Sequence, residues 1–389
     1  MKLKVLDLSR LLPGPFASQI LADLGAEVLK VEDPLGGDYL RWMPPLKGST
    51  SVLFAALNRG KRSLALSLKS EAGREVFLDL LRQGWDIVLE SFRPGVMDRL
   101  GLSEALLRAA APGLILCSIS GFGAEGEDAP RAGHDLGYIS RAGVAHLLGR
   151  AGEAPVVPGV QIADLAGGAY PAACGILAAA LQREQTGEGA HLQISMTHAA
   201  ASLLTAGFAG ATGGGEPLAR GELVLGGGAP CYGFYACADG KQLAVAALEP
   251  QFWERFCAAL ELPELSGRGL DRGEAGAEVR ATLEARFATK PQAEWEAFFR
   301  EHDCCVEPVR EGLEALDDPY LGLRERMVSA RLPGEEEALE VLPTPLADPA
   351  TAPTEVPGLG EHTGEVLRSL GYDADRIEAL ATEGVIGGA

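Results

Sequence analysis

The first 120 residues alternate between short apolar segments and amphipathic segments, and this alternation constrains the fold more than any other feature. Segments of strand type and of helix type follow one another in the order KVLDLS, PFASQILADLG, AEVLKVE, SLALSL, EAGREVFLDLLRQG, DIVLES, PGVMDRLG and LILCSIS. Strands that alternate with helices predict βαβ units, and therefore a parallel sheet with helices on its faces. Because ligands of such sheets bind beyond the carboxyl ends of the strands, we expect the functional residues there.

The length of 389 residues predicts two domains, because a single hydrophobic core seldom organises so long a chain. We expect an α/β protein with a Rossmann-like large domain over residues 1–200 and a smaller α+β domain over residues 225–325. In the second region YGFYAC and KQLAVAAL flank the turn ADG, which is typical of a hairpin. Residues 330–389 are rich in proline and acidic side chains before a last amphipathic segment. They predict a linker and a C-terminal helix that return to the large domain.

The net charge of −20 disfavours nucleic acid and membranes as partners, because both attract proteins with an excess of lysine and arginine. The most apolar stretch, LAGGAYPAACGILAAALQRE, contains Pro171, so we interpret it as an interrupted alanine-rich helix and not as a membrane span. The start, MKLKVLDLS, lacks the organisation of a signal peptide, which predicts a cytoplasmic protein. The seven cysteines show no C-x-x-C spacing and predict buried thiols, with neither a disulfide framework nor a metal site.

Two enzyme classes lack their main sequence signature. The first strand is followed by SRLLPGPFASQ, without the G-x-G-x-x-G of nicotinamide dehydrogenases. Ser118 and Ser120 lie in LILCSISGFG, without the G-x-S-x-G turn that exposes the nucleophile of many ester hydrolases. Both classes are therefore disfavoured.

Cationic side chains gather near the ends of two predicted strands, although the chain as a whole is acidic. The set comprises Arg59, Lys61, Arg62, Lys69, Arg93 and Arg99. Solvated surface charge is one interpretation. Several cations at the ligand-binding edge of a sheet indicate instead a ligand that carries phosphates at more than one point.

Three further residues are candidates for acid–base chemistry. His134 lies in the glycine-flanked turn RAGHDLGYIS, Asp164 precedes the alanine-rich helix, and Glu249 ends the strand KQLAVAALE. Each has a structural alternative, namely a loop histidine, a helix N-cap and an exposed strand end. In a functional interpretation Gly167 and Gly168 let a ligand approach amide donors at the start of the helix, beside an ionised Asp164.

Seven ordered motifs resemble the family III CoA-transferases, and within that superfamily the α-methylacyl-CoA racemases. These motifs are PGPFASQILADLGAEVLKVE, GKRSLALSLK, SFRPGVMDRLGL, SGFG, AGHDLGYIS, ADLAGG and GGGAPCYGFYACADG, the last being followed by AALEPQFW. The similarity extends over nearly the whole chain. Two positions depart from the racemase pattern: Gly226 stands where an aspartate is usual, and Asp33 stands where an arginine is often found.

The resemblance implies an interlocked homodimer whose active site lies between the large domain of one subunit and the small domain of the other. It implies catalytic roles for His134, Asp164 and Glu249. In the large domain it implies binding of coenzyme A, as part of the substrate and not as a separate cofactor. The residues that it assigns to coenzyme A are Leu66, Leu68, Lys69, Arg93, Arg99 and Tyr138.

The reaction implied by this resemblance is racemisation at C2 of a 2-methylacyl-CoA by 1,1-proton transfer through an enolate. His134 and Asp164 would serve opposite faces of the enolate, and amides at the helix start after Asp164 would stabilise its oxygen. The alternative is transfer of CoA between carboxylic acids through a thioester on Asp164. An acyl-CoA-binding protein without chemistry would leave His134 and Glu249 unexplained.

Overall fold

The computed structural model describes residues 3–388, which divide into two compact units. Unit 1 contains the described parts of residues 1–142, 160–202 and 323–389. Unit 2 contains residues 143–159 and 203–322.

The strands of the described chain are short, and most of them lie in unit 1. In chain order they are β1 (Lys4–Asp7), β2 (Glu27–Glu32), β3 (Leu46–Lys47), β4 (Thr50–Ser51), β5 (Arg62–Leu66), β6 (Ile87–Glu90), β7 (Ile115–Ser120), β8 (Ala190–Ser195), β9 (Tyr232–Ala236), β10 (Gln242–Ala246), β11 (Val306–Pro308), β12 (Val328–Ala330), β13 (Leu339–Val341) and β14 (Ile386–Gly387).

The main sheet of unit 1 has seven strands in the order β14-β5-β2-β1-β6-β7-β8. All neighbours are parallel except β14, which runs antiparallel to β5. The predicted α/β class with a large parallel sheet is therefore confirmed. If the six parallel strands are renumbered 1 to 6 in chain order, they lie in the sheet in the order 3-2-1-4-5-6. The direction of this order reverses between β1 and β6. Sheets of this order bind ligands beyond the strand ends at the reversal, and Arg93 is the third residue after β6.

The helices lie between the strands, as the alternation predicts. In chain order they are α1 (Pro13–Asp23), α2 (Val52–Asn58), α3 (Glu71–Arg82), α4 (Val96–Arg99), α5 (Glu104–Ala110), α6 (Asp135–Arg141), α7 (Val144–Leu147), α8 (Tyr170–Thr186), α9 (Met196–Ser202), α10 (Thr205–Gly214), α11 (Pro250–Ala259), α12 (Gly273–Phe287), α13 (Gln292–Arg300), α14 (Leu323–Arg326), α15 (Thr363–Ser369) and α16 (Ala374–Thr382).

Helix α3 shows how local sequence sets these elements. The Ser70 hydroxyl caps its start by accepting a hydrogen bond from the Gly73 amide. The buried side chains Val76, Phe77 and Leu80 recur at helical spacing and pack into the core beneath the sheet. The same core takes in residues from α15, α16 and β14, so the last part of the chain completes unit 1.

The prediction that Pro171 interrupts the alanine-rich helix is wrong. A π-helical segment, Ala163–Ala169, continues directly into α8, and Pro171 lies in the first turn of α8. Because the helical run continues through Pro171, the missing N–H falls inside it, at the point where π-helical geometry changes to α-helical. By length and composition alone the run Ala163–Thr186 could cross a membrane, but in unit 1 it packs against α1, α9, β7 and β8.

The carboxyl ends of β1 and β2 carry a buried ionic cluster. Asp7 accepts hydrogen bonds from the hydroxyls of Ser9 and Ser18, and its carboxylate lies 3.2 Å from Lys61 Nζ and 4.0 Å from Lys30 Nζ. The side chains of Asp7, Lys30 and Lys61 are 0% exposed. Burial alone would raise the pKa of Asp7, but the two lysines lower it to about 2. The cluster is therefore ionised and closed to solvent.

This cluster corrects the interpretation of two of the cations. Lys61 binds Asp7, the Pro15 carbonyl and other buried acceptors, and Arg59 pairs with the buried Asp23 at 2.7 Å. Both precede β5 and lie inside the core, so neither is available to a phosphate. Their partners are far away in sequence, which is why the local pattern suggested a free cation.

Unit 2 contains a three-stranded antiparallel sheet in the order β11-β10-β9. The predicted hairpin is confirmed, since β9 and β10 pair directly and the Cys237 amide donates to the Lys241 carbonyl across the turn. Helices α11, α12 and α13 supply an aromatic core in which Trp253, Phe256, Phe287 and Trp295 are buried. The unit therefore has a hydrophobic core of its own.

Candidate active site

His134 lies at the N-cap position of α6 in unit 1, with an exposed side chain. Its carbonyl accepts hydrogen bonds from the amides of Gly137 and Tyr138, at 2.8 and 3.2 Å, while its ring makes no capping bond. The backbone of His134 thus starts the helix. The imidazole is left available at the surface of the site.

Asp135, the next residue, is the one that the sequence analysis missed. Its carboxylate is buried and accepts hydrogen bonds from the amides of Ala163 and Asp164, at 2.6 and 3.0 Å. It therefore caps the π-helical segment from a different helix, and it ties the backbone beside His134 to the backbone of Asp164. The only local signal is an acid next to the histidine, because the amides it caps follow 28 and 29 residues later.

Asp164 is not the N-cap that its position suggested. It is the second residue of the π-helical segment, whose N-cap is Ile162, and the capping role belongs to Asp135. Burial raises the pKa of Asp164 to about 6; the nearby charge of Asp135 adds to this effect, and His134 opposes it. A carboxyl with a pKa this close to neutrality can both accept and return a proton. Asp135 adjoins His134 in the chain and accepts a hydrogen bond from the Asp164 amide, which places the backbones of the two predicted bases near each other.

The amide donors expected at this helix start are already occupied. Asp135 takes those of Ala163 and Asp164, and the Leu165 amide donates to the Gln161 carbonyl at 3.1 Å. Of the amides after Asp164, which were expected to stabilise an enolate oxygen, that of Leu165 is therefore unavailable.

The two glycines after Asp164 also have a structural reason. A Cβ on Gly167 would lie 2.9 Å from the Met196 carbonyl, and one on Gly168 would lie 3.1 Å from Pro13. They allow α9 and α1 to pack closely on the π-helical segment, which corrects their interpretation as an approach path for a ligand.

Tyr138 supports the turn that holds His134. It is buried, packs edge-on against Phe122 at 5.2 Å, and donates its hydroxyl to the Gly133 carbonyl at 2.6 Å. A Cβ on Gly133 would lie 2.5 Å from the tyrosine ring, so glycine is required there. Burial raises the pKa of Tyr138, with a contribution from Asp164, while Arg93 opposes it. The hydrogen bond to Gly133 therefore fixes Tyr138 beside the turn that carries His134.

The remaining residues assigned to coenzyme A lie at the ends of strands in unit 1. Leu66 is the buried last residue of β5, and Leu68 packs against the same core. Lys69 is 75% exposed and pairs with Asp33, which follows β2, at 3.1 Å. Although burial raises the pKa of Asp33, the Leu35 amide and Lys69 hold it below its usual range. Asp33, which stands where racemases often have an arginine, therefore forms an ion pair with the lysine that is predicted to bind phosphate.

Arg93 and Arg99 are exposed cations on the segment after β6. Within residues 3–388 the side chain of neither residue forms a hydrogen bond or an ion pair, and the Arg99 guanidinium lies over Gly95. Both are thus open to an anionic group, unlike Arg59 and Lys61.

Glu249 lies in unit 2, at the N-cap of α11. Its carbonyl accepts hydrogen bonds from Phe252 and Trp253, and its exposed side chain makes no capping bond. His134 and Asp164 belong to unit 1, so the structure assembles two of the three predicted catalytic residues within one unit. Over residues 3–388 no group of three or more His, Cys, Asp or Glu side chains is arranged to hold a metal ion.

Comparisons with known proteins agree on one family. The chain matches the model of CoA-transferase family III over residues 2–363. It is 35% identical over 387 residues to the human alpha-methylacyl-CoA racemase, covering 99% of this chain and 96% of the relative. It is 33% identical over 397 residues to a succinyl-CoA:mesaconate CoA-transferase of Haloarcula marismortui, covering 97% and 98%. Among solved structures, a CaiB/BaiF family protein from Brucella suis aligns with a TM-score of 0.79 at 28% identity, over 95% of this chain and 98% of that one.

Proposed function

Because the chain belongs to CoA-transferase family III, we propose that it is an enzyme acting on acyl-CoA thioesters, and that it interconverts (R)- and (S)-2-methylacyl-CoA. The observation that carries the proposal is the hydrogen bond from the Asp164 amide to Asp135, which holds Asp164 near the neighbouring His134. A transferase needs only the carboxylate as nucleophile. A second, different base beside it favours racemisation.

The chemistry requires one proton-transfer group on each face of a planar intermediate. A thioester acidifies the proton on C2, because its carbonyl can take up the charge of the enolate. In one direction Asp164 accepts the proton and protonated His134 donates from the opposite face; in the other direction the roles reverse. Each such group typically contributes about 10²–10⁴-fold to the rate. Asp135 is a positioning residue in this scheme, since it holds both backbones.

The remaining candidate residues bind coenzyme A or orient His134 in this mechanism. Lys69, Arg93 and Arg99 bind phosphates of the coenzyme A part of the substrate, near the ends of β5 and β6. Glu249 orients the imidazole of His134 and stabilises its protonated form, as a carboxylate does in hydrolytic triads. This last role belongs to the homodimer that the resemblance implies, and no cofactor is required.

A second reaction is supported by the relatives that transfer CoA. Succinyl-CoA:mesaconate CoA-transferase is nearly as similar to this chain as the racemase is. In this alternative Asp164 attacks the thioester, forms an anhydride and then carries CoA as its own thioester. The half-buried carboxyl with a pKa of about 6 is compatible with either reaction.

One incubation separates the two reactions. A single C2 epimer of a 2-methylacyl-CoA is kept with the protein in deuterated water, without any acceptor acid. We expect both epimers to appear with deuterium at C2, because the acid–base groups exchange their protons with solvent. Absence of deuterium, together with CoA transfer once an acid is added, would overturn the racemase proposal and support the transferase.

The pH profile should follow Asp164 and respond to Asp135. In the direction where Asp164 is the base, kcat/KM should fall as pH drops through about 6, since the carboxyl becomes protonated. Asp135→Asn keeps an oxygen for the capped amides but removes the negative charge, so it should lower the pKa of Asp164 and move this decline to lower pH. The measurement is the rate of deuterium incorporation from pH 4 to 9. An unmoved profile in a folded variant would show that Asp135 does not act on Asp164.

The ion pair at Lys69 predicts opposite effects of two substitutions on coenzyme A affinity. Lys69→Ala should weaken binding about two- to fivefold and reduce its salt dependence, as expected for one exposed charge contact. Asp33→Ala should strengthen binding, because the carboxylate that competes for Lys69 is removed. Calorimetric titration at two salt concentrations measures both. Lys47→Ala, which removes a lysine that pairs with Glu337 elsewhere in the chain, is the matched control and should leave coenzyme A affinity unchanged.

A further inference from the structure

Ser118, His191 and Glu104 form a hydrogen-bonded line in unit 1 that the proposed reaction does not use. The Ser118 Oγ lies 3.2 Å from His191 Nε2, and His191 Nδ1 lies 2.7 Å from Glu104 Oε2. A hydroxyl, an imidazole and a carboxylate in this order are the parts of an activated serine nucleophile. Such triads are recognised by geometry and not by sequence order, so the missing G-x-S-x-G motif does not exclude one.

The register of the sheet explains why these side chains meet. In the parallel pair β7–β8, Leu116 lies opposite His191 and Ser118 lies opposite Gln193. Residues two apart point to the same face, so Ser118 and His191 are diagonal neighbours on one face. Glu104 is the first residue of α5, which Ser103 caps through its hydroxyl. The helix start therefore brings the carboxylate to the histidine.

Electrostatics favour the tautomer that a nucleophilic serine needs. Although burial raises the pKa of Glu104, Arg108 and His191 hold it below its usual range, so the carboxylate is ionised. Arg108 takes the other oxygen of Glu104 at 2.7 Å and fixes its orientation. An ionised carboxylate at Nδ1 keeps the proton there, which leaves the Nε2 lone pair facing the Ser118 hydroxyl.

The triad borders a cavity of about 260 Å³ that contains donors able to stabilise an oxyanion. Ser118, His191 and Glu104 all line it, together with Arg93 and Gln193. Within the described chain the side chains of Arg93 and Gln193 form no hydrogen bond with other protein groups. The side chains of His191 and Glu104 are 25% and 38% exposed, so small molecules can reach the triad from solvent.

A competing acceptor lies on the other side of Ser118. Glu90, opposite Ser118 in β6, is buried, and burial raises its pKa to about 7 although the Ser118 hydroxyl and the Phe92 amide oppose the shift. With this pKa Glu90 is about half protonated at neutral pH, and its protonated form leaves the serine proton to His191. Besides Glu90 and Glu104, the acid Asp98 lines the cavity. The arginine that lines it is Arg93.

We infer that Ser118 is the nucleophile of a second catalytic site, which cleaves esters or thioesters of short acyl groups. Pockets for drug-sized ligands usually exceed about 300 Å³, so this smaller cavity suits a short acyl chain. Ser118 Oγ attacks the acyl carbon while its proton passes to His191 Nε2. The bond to the alcohol or thiol then breaks, and the leaving group takes that proton from His191. Water, deprotonated by His191, hydrolyses the acyl-serine and restores the hydroxyl proton.

The test uses the full-length protein, a small alkyl fluorophosphonate as probe, and peptide mapping by mass spectrometry. We expect one label on Ser118, no label in Ser118→Ala, and a labelling rate at least about 10²-fold lower in His191→Gln. Ser120→Ala is the matched control, because Ser120 lines the same cavity but donates to the Ile194 carbonyl. It should label at the wild-type rate.

Hydrolysis of p-nitrophenyl acetate by the same variants supplies a second readout. It should be lost in Ser118→Ala and retained in Ser120→Ala. Unlabelled Ser118, or labelling of His191→Gln at the wild-type rate, would overturn the inference. Neither measurement involves acyl-CoA or deuterium exchange, so its outcome is independent of the proposed racemisation.

Discussion

Replacement of His134 by alanine should reduce epimerisation by at least about 10²-fold, while slow exchange of the C2 proton persists. The exchange that remains should retain configuration, because Asp164 still removes and returns a proton on its own face. Asp164→Ala should give the mirror result, with exchange confined to the epimer whose proton faces His134. Chiral separation of the CoA esters, combined with deuterium counting by mass spectrometry, distinguishes the two faces.

The control for this experiment is His198→Ala. His198 is an exposed histidine of α9 in the same unit, and its backbone amide donates a hydrogen bond to the Ser195 hydroxyl. The variant should epimerise at the wild-type rate. If His134→Ala in folded protein also epimerises normally, the histidine is structural, and the two-base mechanism is wrong.

Replacement of Asp7 by asparagine should have the largest effect on stability. The change leaves Lys30 and Lys61 buried with less opposing charge, and removal of one partner from a buried pair typically costs about 3–5 kcal/mol. Urea unfolding followed by circular dichroism should show the midpoint of unit 1 moving to lower urea. Asp303→Asn, which alters a surface pair with Arg255, should leave the midpoints nearly unchanged.

The same residue gives a pH dependence whose sign can be checked. The pKa of Asp7 is lowered to about 2 from its ordinary 3.8, so the folded state holds this proton less tightly than the unfolded state does. The stabilisation from Asp7 is therefore complete above pH 3.8 and is lost as pH falls through about 2. The asparagine variant lacks this contribution, so the stability gap between the two proteins should narrow as the solution becomes more acidic in that range.

The alternating pattern predicted the parallel sheet because each strand and helix there carries its own local periodicity. It did not reveal β14, a strand of two residues that exists only by pairing with β5. Strand β8, AHLQIS, also escaped notice, since its polar positions give no continuous apolar run. Local sequence thus identifies elements that have their own hydrophobic periodicity. It misses strands that form only because they pair with a strand far away in sequence.

The residues of the candidate site also fall into two groups, those that local sequence identifies and those that it does not. His134 and Asp164 could be selected from residue type and position, and the structure brings them together in unit 1. Asp135 could not, because the amides it caps belong to a helix more than twenty residues away. Arg59 and Lys61 were misread for the converse reason: the carboxylates that neutralise them are distant in sequence and close in space.

The antiparallel pairing of β14 with β5 has a consequence for synthesis of the chain. Residues 3–202 supply the six parallel strands early, yet β5 remains an open edge until residues near 386 leave the ribosome. During that interval the nascent sheet exposes unpaired backbone groups and the apolar surface that Val366, Leu367 and Leu380 later cover. Most of unit 2, residues 203–322, is translated in between, and the unit has its own core, so it can fold before unit 1 is complete. Chaperone demand during translation should therefore follow the time needed to reach the last 30 or so residues, and it should rise when elongation is slowed after unit 2.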